Sequence, residues 1–354
     1  MTALPASSVE GSPPPGGWRG LSVRSESIAL AVVLAGMMIL PLIVVPLRAI
    51  HVQIKGQGSI VQHLTLIAGM IGGAIAAREG RLLSLSSVDL LVRGAWRTVA
   101  RSFAGAVAAT VTAMLCLASL RFVLSERAGG ATLAYGVPTW VIQLALPIGF
   151  ALITLRLLWR ASERWGWRGA TVALAGLLTL CAVSPPVPPA QLVVPAFALL
   201  LLATFLGAPI FAALGGAGLI LFWGDGSPIA SLTVDHYGLV TNPTLPTVPL
   251  FTLAGYFLAE GGASRRLIRL FSAVVGQLRG GPAILVALVC AFFTSFTGAS
   301  GVTILALGGL LLPVLLAAGY SQRASLGLLT GSGSLGLLLP RQLGVVTTLH
   351  GTDI

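Results

Sequence analysis

Two clusters of small and hydroxyl-bearing residues interrupt long apolar sequence near the end of the chain. The first is Thr294-Ser295-Phe296-Thr297-Gly298-Ala299-Ser300-Gly301 and the second is Thr330-Gly331-Ser332-Gly333-Ser334. Non-helical backbone inside a bilayer is costly unless it is buried in protein or lines a polar cavity. A helix broken there exposes N–H groups that can bind an anion and carbonyls that, with Ser and Thr hydroxyls, can coordinate Na⁺.

Close helix packing is the alternative explanation, because small side chains let helices approach one another. One cluster alone would favour packing, whereas two clusters with several hydroxyls each favour a binding site. The candidate substrate- and ion-binding residues in the two clusters are therefore Ser295, Thr297, Gly298, Ser300, Gly331, Ser332 and Ser334.

Other arrangements of reactive residues give little support to catalysis or metal binding. The four histidines are far apart and form no ligand motif: His51, His63, His236 and His350. We expect His63 to be a polar residue inside a helix bundle. The glycine pattern that starts at Gly331 follows no predicted strand, so a dinucleotide site is not indicated. No hydrolase or metalloprotease motif occurs, and we predict a protein that is not an enzyme and has no cofactor.

Composition excludes most soluble classes of protein. Hydrophobic residues make up 56% of the 354 residues and charged residues 9%, with a mean hydropathy of +0.95. An average soluble domain is about 25% charged, and a disordered chain needs high charge and low hydrophobicity. The prediction is an all-α fold, a polytopic transmembrane helical bundle that is embedded in a lipid bilayer.

The net charge of +11 comes mainly from arginines that lie between the apolar runs. This placement follows the positive-inside rule and gives no support to nucleic-acid binding. One arginine cluster follows the second span, and another, interleaved with tryptophans, follows the fourth. Both clusters are predicted to face the cytoplasm, which also places the N-terminus there. The first four predicted spans cover about 27–50, 60–77, 103–124 and 137–158.

These features divide the chain into four predicted regions. Residues 1–26 are rich in Pro, Gly and Ser and predict a disordered cytoplasmic tail. Residues 27–168 form a four-helix membrane domain, and residues 169–190 form a linker helix (a fifth span at about 170–183) followed by a Pro-rich linker. Residues 191–354 form the last domain.

The apolar run Leu192–Trp223 is too long for one simple crossing. A helix of this length would measure about 48 Å, against a hydrocarbon core of about 30 Å. Gly207-Ala208-Pro209 lies near its middle. We favour two crossings with an external loop at 224–245, because a further span at about 246–260 then delivers the next arginines to the cytoplasm. One broken, tilted span is the alternative.

Several motifs in the second half resemble the large membrane subunit of tripartite ATP-independent periplasmic (TRAP) transporters. They are Pro249-Leu250-Phe251, Gly255, Gly262-Ala263-Ser264-Arg265-Arg266-Leu267, Gly276-Gln277-Leu278-Arg279-Gly280-Gly281, Phe293 to Pro313, and Gly319-Tyr320. The first 160 residues resemble the small four-helix subunit, through Gly69, Ala76-Ala77-Arg78 and the basic loop that follows. The order of small subunit, linker helix and large subunit resembles the fused form of these transporters.

The resemblance implies a Na⁺-driven permease in the bacterial inner membrane, with Na⁺ as the coupling ion. A periplasmic solute-binding protein would deliver an organic acid, such as a C4-dicarboxylate or a sugar acid. Residues Thr297–Thr303 would form the tip of a re-entrant helical hairpin, which adds Thr303 to the candidate site. Residues Thr330–Pro340 would form a helix break, which adds Pro340.

Two departures from the family pattern concern the end of the chain. The family's large subunit has two inverted repeats, and only the first is represented here. The family pattern continues with Pro-Pro-Ser where this chain has Pro340-Arg341-Gln342. We therefore expect a truncated large-subunit segment, with a separate chain supplying the missing repeat. The alternative is a fragment that does not transport and serves at most as a membrane scaffold or partner.

Overall fold

The computed structural model describes residues 18–51, 54–84, 95–162, 165–243, 245–247, 249–250, 253, 257, 262, 266, 269–270, 273, 280–297 and 300–335. The first helices in this part of the chain are α1 (Trp18–Ala49), α2 (Gln57–Glu79), α3 (Ala95–Gly129), α4 (Thr139–Gln143), α5 (Ala145–Arg160) and α6 (Trp165–Val183). The later ones are α7 (Pro189–Phe205), α8 (Ile210–Gly224), α9 (Ala230–Val240), α10 (Gly281–Thr297), α11 (Ser300–Ala317) and α12 (Gln322–Leu335).

The described residues contain helices and two isolated bridges but no strand. In the described part of the chain, five helical segments are long and apolar enough to cross a membrane: Val23–Val44, Gln57–Glu79, Trp96–Gly129, Thr139–Arg160 and Trp165–Val183. They coincide with the five spans predicted before the Pro-rich linker. The predicted all-α, multi-pass bundle is therefore confirmed.

Helix α1 begins well before the predicted first span. Residues 18–26 were predicted to be disordered but are helical, and Glu26 in this stretch accepts a hydrogen bond of 2.7 Å from Arg78 on α2. Arg156 on α5 also donates to Glu26. The composition of residues 18–26 is polar enough to suggest disorder, but these two ion pairs hold the added helical turns against α2 and α5. Residues 1–17 of the predicted tail lie outside the described residues.

Helix α3 is the central helix of the bundle that α1–α6 form. Its buried face consists largely of alanine, including Ala104, Ala108 and Ala118, and small side chains allow close helix packing. Hydroxyl groups add specific contacts: Thr154 on α5 donates to the Thr112 hydroxyl at 2.8 Å. Large apolar side chains of neighbouring helices complete the core around α3.

The long apolar run is divided into the two helices α7 and α8 near Gly207-Ala208-Pro209, and this division fits both two crossings and one broken span. The break includes Gly207, which has a φ of 99°, a conformation that favours glycine. Leu200 lies against Gly216, and Val193 lies against Gly224, so the helices are antiparallel. The number of membrane crossings stays a prediction. The predicted external loop at 224–245 contains a helix, α9.

The chain divides by its contacts into two compact units, residues 1–241 and residues 242–354. Helices α1–α9 belong to the first unit and α10–α12 to the second. The predicted boundaries at 168 and 190 separate family-like segments rather than contact units, and they stay predictions. Most of the predicted span at 246–260 lies outside the described residues.

Candidate functional site

Helices α10 and α11 form a helical hairpin in the second unit. Helix α10 ends at Thr297 and α11 begins at Ser300, so the neighbouring ends of the two helices lie within the predicted first cluster. Leucines and other apolar residues of both helices share one core, including Phe293, Leu307 and Leu311, which are at most 1% exposed. This apolar packing fixes the register of the two helices near the turn.

A pair of buried threonines joins the two helices next to the turn. The Thr294 hydroxyl donates to the Thr303 hydroxyl across 2.9 Å. The side chains are 1% and 0% exposed. Buried hydroxyls need partners, and this bond satisfies both while holding the ends of α10 and α11 together. It also places two oxygen atoms just below the hairpin tip.

The structure of helix α12 differs from the prediction for the second cluster. It runs unbroken from Gln322 to Leu335, so the predicted interruption at Thr330–Ser334 is wrong. The Thr330 hydroxyl donates to the carbonyl of Leu326 at 2.8 Å, which satisfies it within the helix. Gly331 and Gly333 are tolerated because the leucines of α12 pack on α10 and α11.

The structure buries some of the predicted site residues and exposes others. Thr303 and Ser332 are buried at 0% and 2% exposure, whereas Gly331 and Ser334 are exposed. Ser295, Thr297 and Ser300 are helical residues at the two sides of the turn. Gly298 and Pro340 lie outside the described residues.

Thr294 was not selected from the sequence, although it is the partner of Thr303. The positions of Thr294 and Thr303 relative to Gly298 and Ala299 could have identified Thr294 from the sequence. Thr294 precedes Gly298 by as many residues as Thr303 follows Ala299, and in an antiparallel hairpin such positions face each other. Using this symmetry requires knowing where the turn lies, which the composition of the cluster does not specify.

The ends of α10 and α11 give the hairpin tip opposite electrostatic character at neighbouring points. The C-terminus of α10 presents carbonyl groups, which attract cations, and the N-terminus of α11 presents N–H groups, which attract anions. Hydroxyl-bearing residues lie on both sides of the turn. Such a tip can bind a hard cation and an anion next to each other. Among the described residues, no group of His, Cys, Asp and Glu could hold a transition metal.

A groove of about 280 Å³ in the first unit is a poor candidate for a polar ligand. It lies between α3, α6, α7 and α8, and its lining residues carry no charge. Its one threonine, Thr110, already donates to backbone carbonyls of Ala106 and Ala175. An organic anion would lose its hydration there without compensation, so the hairpin is the better candidate site.

Two family descriptions match successive parts of the chain. "Tripartite ATP-independent periplasmic transporters, DctQ component" matches residues 37–166. "Tripartite ATP-independent periplasmic transporter, DctM component" matches residues 197–349, which include the hairpin and α12. The order is the one that the resemblance predicted.

Curated relatives agree with these matches. The isethionate TRAP transporter permease protein DctMQ of Oleidesulfovibrio alaskensis is 29% identical over 214 residues, 58% of this chain and 33% of the relative. The C4-dicarboxylate large permease protein DctM of Pseudomonas aeruginosa is 36% identical over 140 residues, 40% of this chain and 33% of the relative. The ectoine large permease protein TeaC of Halomonas elongata is 31% identical over 154 residues, 42% of this chain and 36% of the relative.

The chain thus spans about a third of the length of the curated relatives that it matches. A DctQ-type segment precedes a DctM-type segment in the same polypeptide. Among the described residues, four membrane-length helices overlap the DctQ-type match, the fifth lies almost entirely between the two matches, and the α10–α11 hairpin lies in the DctM-type match. The chain belongs to the membrane components of the tripartite ATP-independent periplasmic transporters, in the form that fuses a DctQ-type and a DctM-type segment.

Proposed function

We propose that the chain is the permease part of a Na⁺-coupled secondary transporter that imports a small organic acid delivered by a periplasmic solute-binding protein. The observation that carries this proposal is the α10–α11 hairpin of the DctM-type segment, with its buried Thr294–Thr303 pair. The relatives named above act on C4-dicarboxylates, isethionate and ectoine. They support a small, polar organic solute as the substrate class.

The coupling follows from electrostatics at the hairpin tip. Na⁺ would bind carbonyl and hydroxyl oxygens at the end of α10, and the acid would bind near the N-terminus of α11. Each ion offsets the charge of the other, so binding of one raises the affinity for the second, and this effect is reciprocal. The Thr294–Thr303 bond keeps the two helix ends in the geometry that both ions need.

The distribution of charge supports a cytoplasmic N-terminus. Glu26, Arg78 and Arg156 bring the start of α1 and the ends of α2 and α5 to the same end of the bundle, and Gly105 against Ala161 adds the start of α3. The arginines that lie at or near this end, among the described residues, are Arg24, Arg78, Arg81, Arg97, Arg101, Arg156, Arg160 and Arg168. Among the described residues at this end, the acidic ones are Glu26 and Glu79. The positive-inside rule assigns this end to the cytoplasm, so the binding protein would meet the opposite end.

Uptake into proteoliposomes tests the transport proposal. The full chain is reconstituted with a cognate binding protein, with and without a separately supplied second DctM-type repeat, under an inward Na⁺ or K⁺ gradient. We expect uptake of labelled organic acid only with Na⁺, and a loss of most of it in Thr303→Val. The control Thr330→Val removes an exposed hydroxyl of the same segment and should transport normally.

A membrane scaffold that does not itself transport is the second candidate. The chain spans about a third of the length of these relatives, so transport by this chain is a proposal that the uptake experiment tests. Absence of Na⁺-dependent uptake with and without the second repeat, from protein that is folded and inserted, would reject the transport proposal in favour of the scaffold.

A further inference from the structure

Helix α9 connects the DctM-type segment with the DctQ-type helices through polar side chains. This helix of 11 residues belongs to the DctM-type match and contacts α2, α3 and α8. Its Tyr237 ring packs on Phe122 of α3 with ring centres 5.4 Å apart, and on His63 of α2 at 5.8 Å. Polar and aromatic contacts are therefore combined at one point of the interface between the segments.

His63 and Tyr237 form a defined hydrogen bond. The His63 Nε2 atom lies 2.6 Å from the Tyr237 hydroxyl oxygen, and its Nδ1 atom lies 2.6 Å from the carbonyl oxygen of Ser59. A carbonyl only accepts, so Nδ1 carries a proton. In the neutral imidazole Nε2 is then the acceptor, and the Tyr237 O–H donates to it. His63 is 5% exposed, so this bond is protected from water.

Gln143, at the end of α4, is the unexplained polar group of this region. Its side chain is fully buried, and neither atom of its amide has a hydrogen-bond partner among the described residues. The neighbouring core is apolar, with Leu146 and Phe150 among its residues. A buried amide that makes no hydrogen bond is strongly destabilising, so native proteins satisfy such groups, often with ordered water.

Leu144, the neighbour of Gln143 in the chain, and Tyr237 pack against the same buried apolar cluster. Burial raises the pKa of the Tyr237 phenol, the Gln143 side chain lowers it, and the negative charge of Glu126 raises it further. Thr233, one turn earlier on the same face of α9, is another buried hydroxyl that has no partner among the described residues. Several polar groups therefore converge where α9 meets the helix bundle.

We propose that His63, Tyr237 and Gln143 form one buried hydrogen-bonded network, completed by ordered water at the Gln143 amide, and that this network fixes α9 in register on the DctQ-type helices. The network would thereby fasten the DctM-type segment to the DctQ-type segment. This inference goes beyond the proposed transport function and does not depend on it.

Replacement of Gln143 by methionine distinguishes a network from apolar docking, because the two predict opposite signs. If apolar contacts alone hold α9, the buried Gln143 amide lowers the stability of the folded protein. A methionine of similar volume then raises this stability or leaves it unchanged. If the network exists, Gln143→Met removes one of its three members and leaves Tyr237 with fewer partners. We then expect the Tm of the full chain in nanodiscs to fall by about 2–4 °C.

A double-mutant cycle and matched controls complete the thermal test. Tyr237→Phe should lower the Tm comparably, and the double variant with Gln143→Met should lower it by less than the sum, because both changes disrupt one network. Tyr135→Phe and Gln191→Met make the same substitutions at exposed positions and should leave the Tm unchanged. A raised or unchanged Tm in Gln143→Met, or strictly additive effects, would overturn the proposal.

Hydrogen–deuterium exchange of the same full-length variants tests the position of α9 itself. Well below the Tm, amides of α9 should exchange several-fold faster in Gln143→Met and Tyr237→Phe than in the original chain. Peptides from α6 serve as the internal reference and should not change. Unchanged exchange in α9, in variants that remain folded, would show that the network does not hold this helix.

Discussion

The Thr294–Thr303 pair shows how strongly a single buried hydroxyl depends on its partner. We predict that Thr294→Val destabilises the protein by about 1–3 kcal/mol, because it leaves the Thr303 hydroxyl with one partner fewer in an apolar core. The double variant Thr294→Val/Thr303→Val should be less destabilised than the sum of the single variants, since it leaves neither hydroxyl of the pair without the other. Denaturant unfolding in detergent measures all three.

Thr330→Val is the matched control for this cycle, because Thr330 is exposed and its hydroxyl bonds only to its own helix. It should change the free energy of unfolding by no more than about 0.5 kcal/mol. Additive effects of the two buried substitutions would contradict a shared hydrogen bond.

We predict that His236 makes the stability of the protein sensitive to mild acid. Burial lowers the pKa of His236 from its ordinary value of 6.5, and its ring packs on Phe150 with ring centres 6.2 Å apart. The unfolded chain takes up a proton as the pH falls below 6.5, while the folded protein resists it, so stability is present above this pH and is lost as the pH falls towards the folded pKa. We predict a lower Tm at pH 5 than at pH 7.

The variant His236→Phe should reduce this acid dependence, because it removes the titrating group and keeps an aromatic ring. Thermal unfolding of both proteins between pH 5 and pH 7.5 makes the comparison. An identical fall in Tm for the two proteins would assign the acid sensitivity to other groups.

At the scale of the helices, the α7–α8 hairpin depends on a glycine at its contact surface. A side-chain carbon at Gly216 would lie 2.9 Å from a methyl group of Leu200 and 3.0 Å from one of Val111. We predict that Gly216→Leu destabilises the protein by about 1–3 kcal/mol, because the larger side chain must push α7 and α3 away. Gly176→Leu is the control, since nothing lies within 4 Å of that position. Similar Tm values for both variants would contradict close packing at Gly216.

The helices also show what the sequence can and cannot predict. The break between α7 and α8 was predictable, because Gly207-Ala208-Pro209 is a local signal and the run is too long for one span. The continuity of α12 was not, because its glycines and hydroxyls are held by intrahelical hydrogen bonds and by packing on α10 and α11. The composition around Thr294 and Gln143 does not single them out either, because the importance of each depends on which residues the fold places beside it.

For the whole molecule, the distribution of charge predicts which ends of the helices face the cytoplasm. Arg81 follows α2 at the basic end, whereas Ala131 and Ser184 follow α3 and α6 at the opposite end, and all three residues are exposed. In a variant without the native cysteines, single cysteines are placed at these positions. A membrane-impermeant maleimide is then added to cells whose outer membrane has been made permeable.

We expect Ala131→Cys and Ser184→Cys to be labelled in such cells, because these positions would face the periplasm. Arg81→Cys should be labelled only after the inner membrane is opened, since the positive-inside rule keeps the basic end in the cytoplasm. The reverse pattern would place the N-terminus outside. It would also move the docking side for a binding protein to the arginine-rich end, where the proposed delivery of substrate from the periplasm would need a different surface.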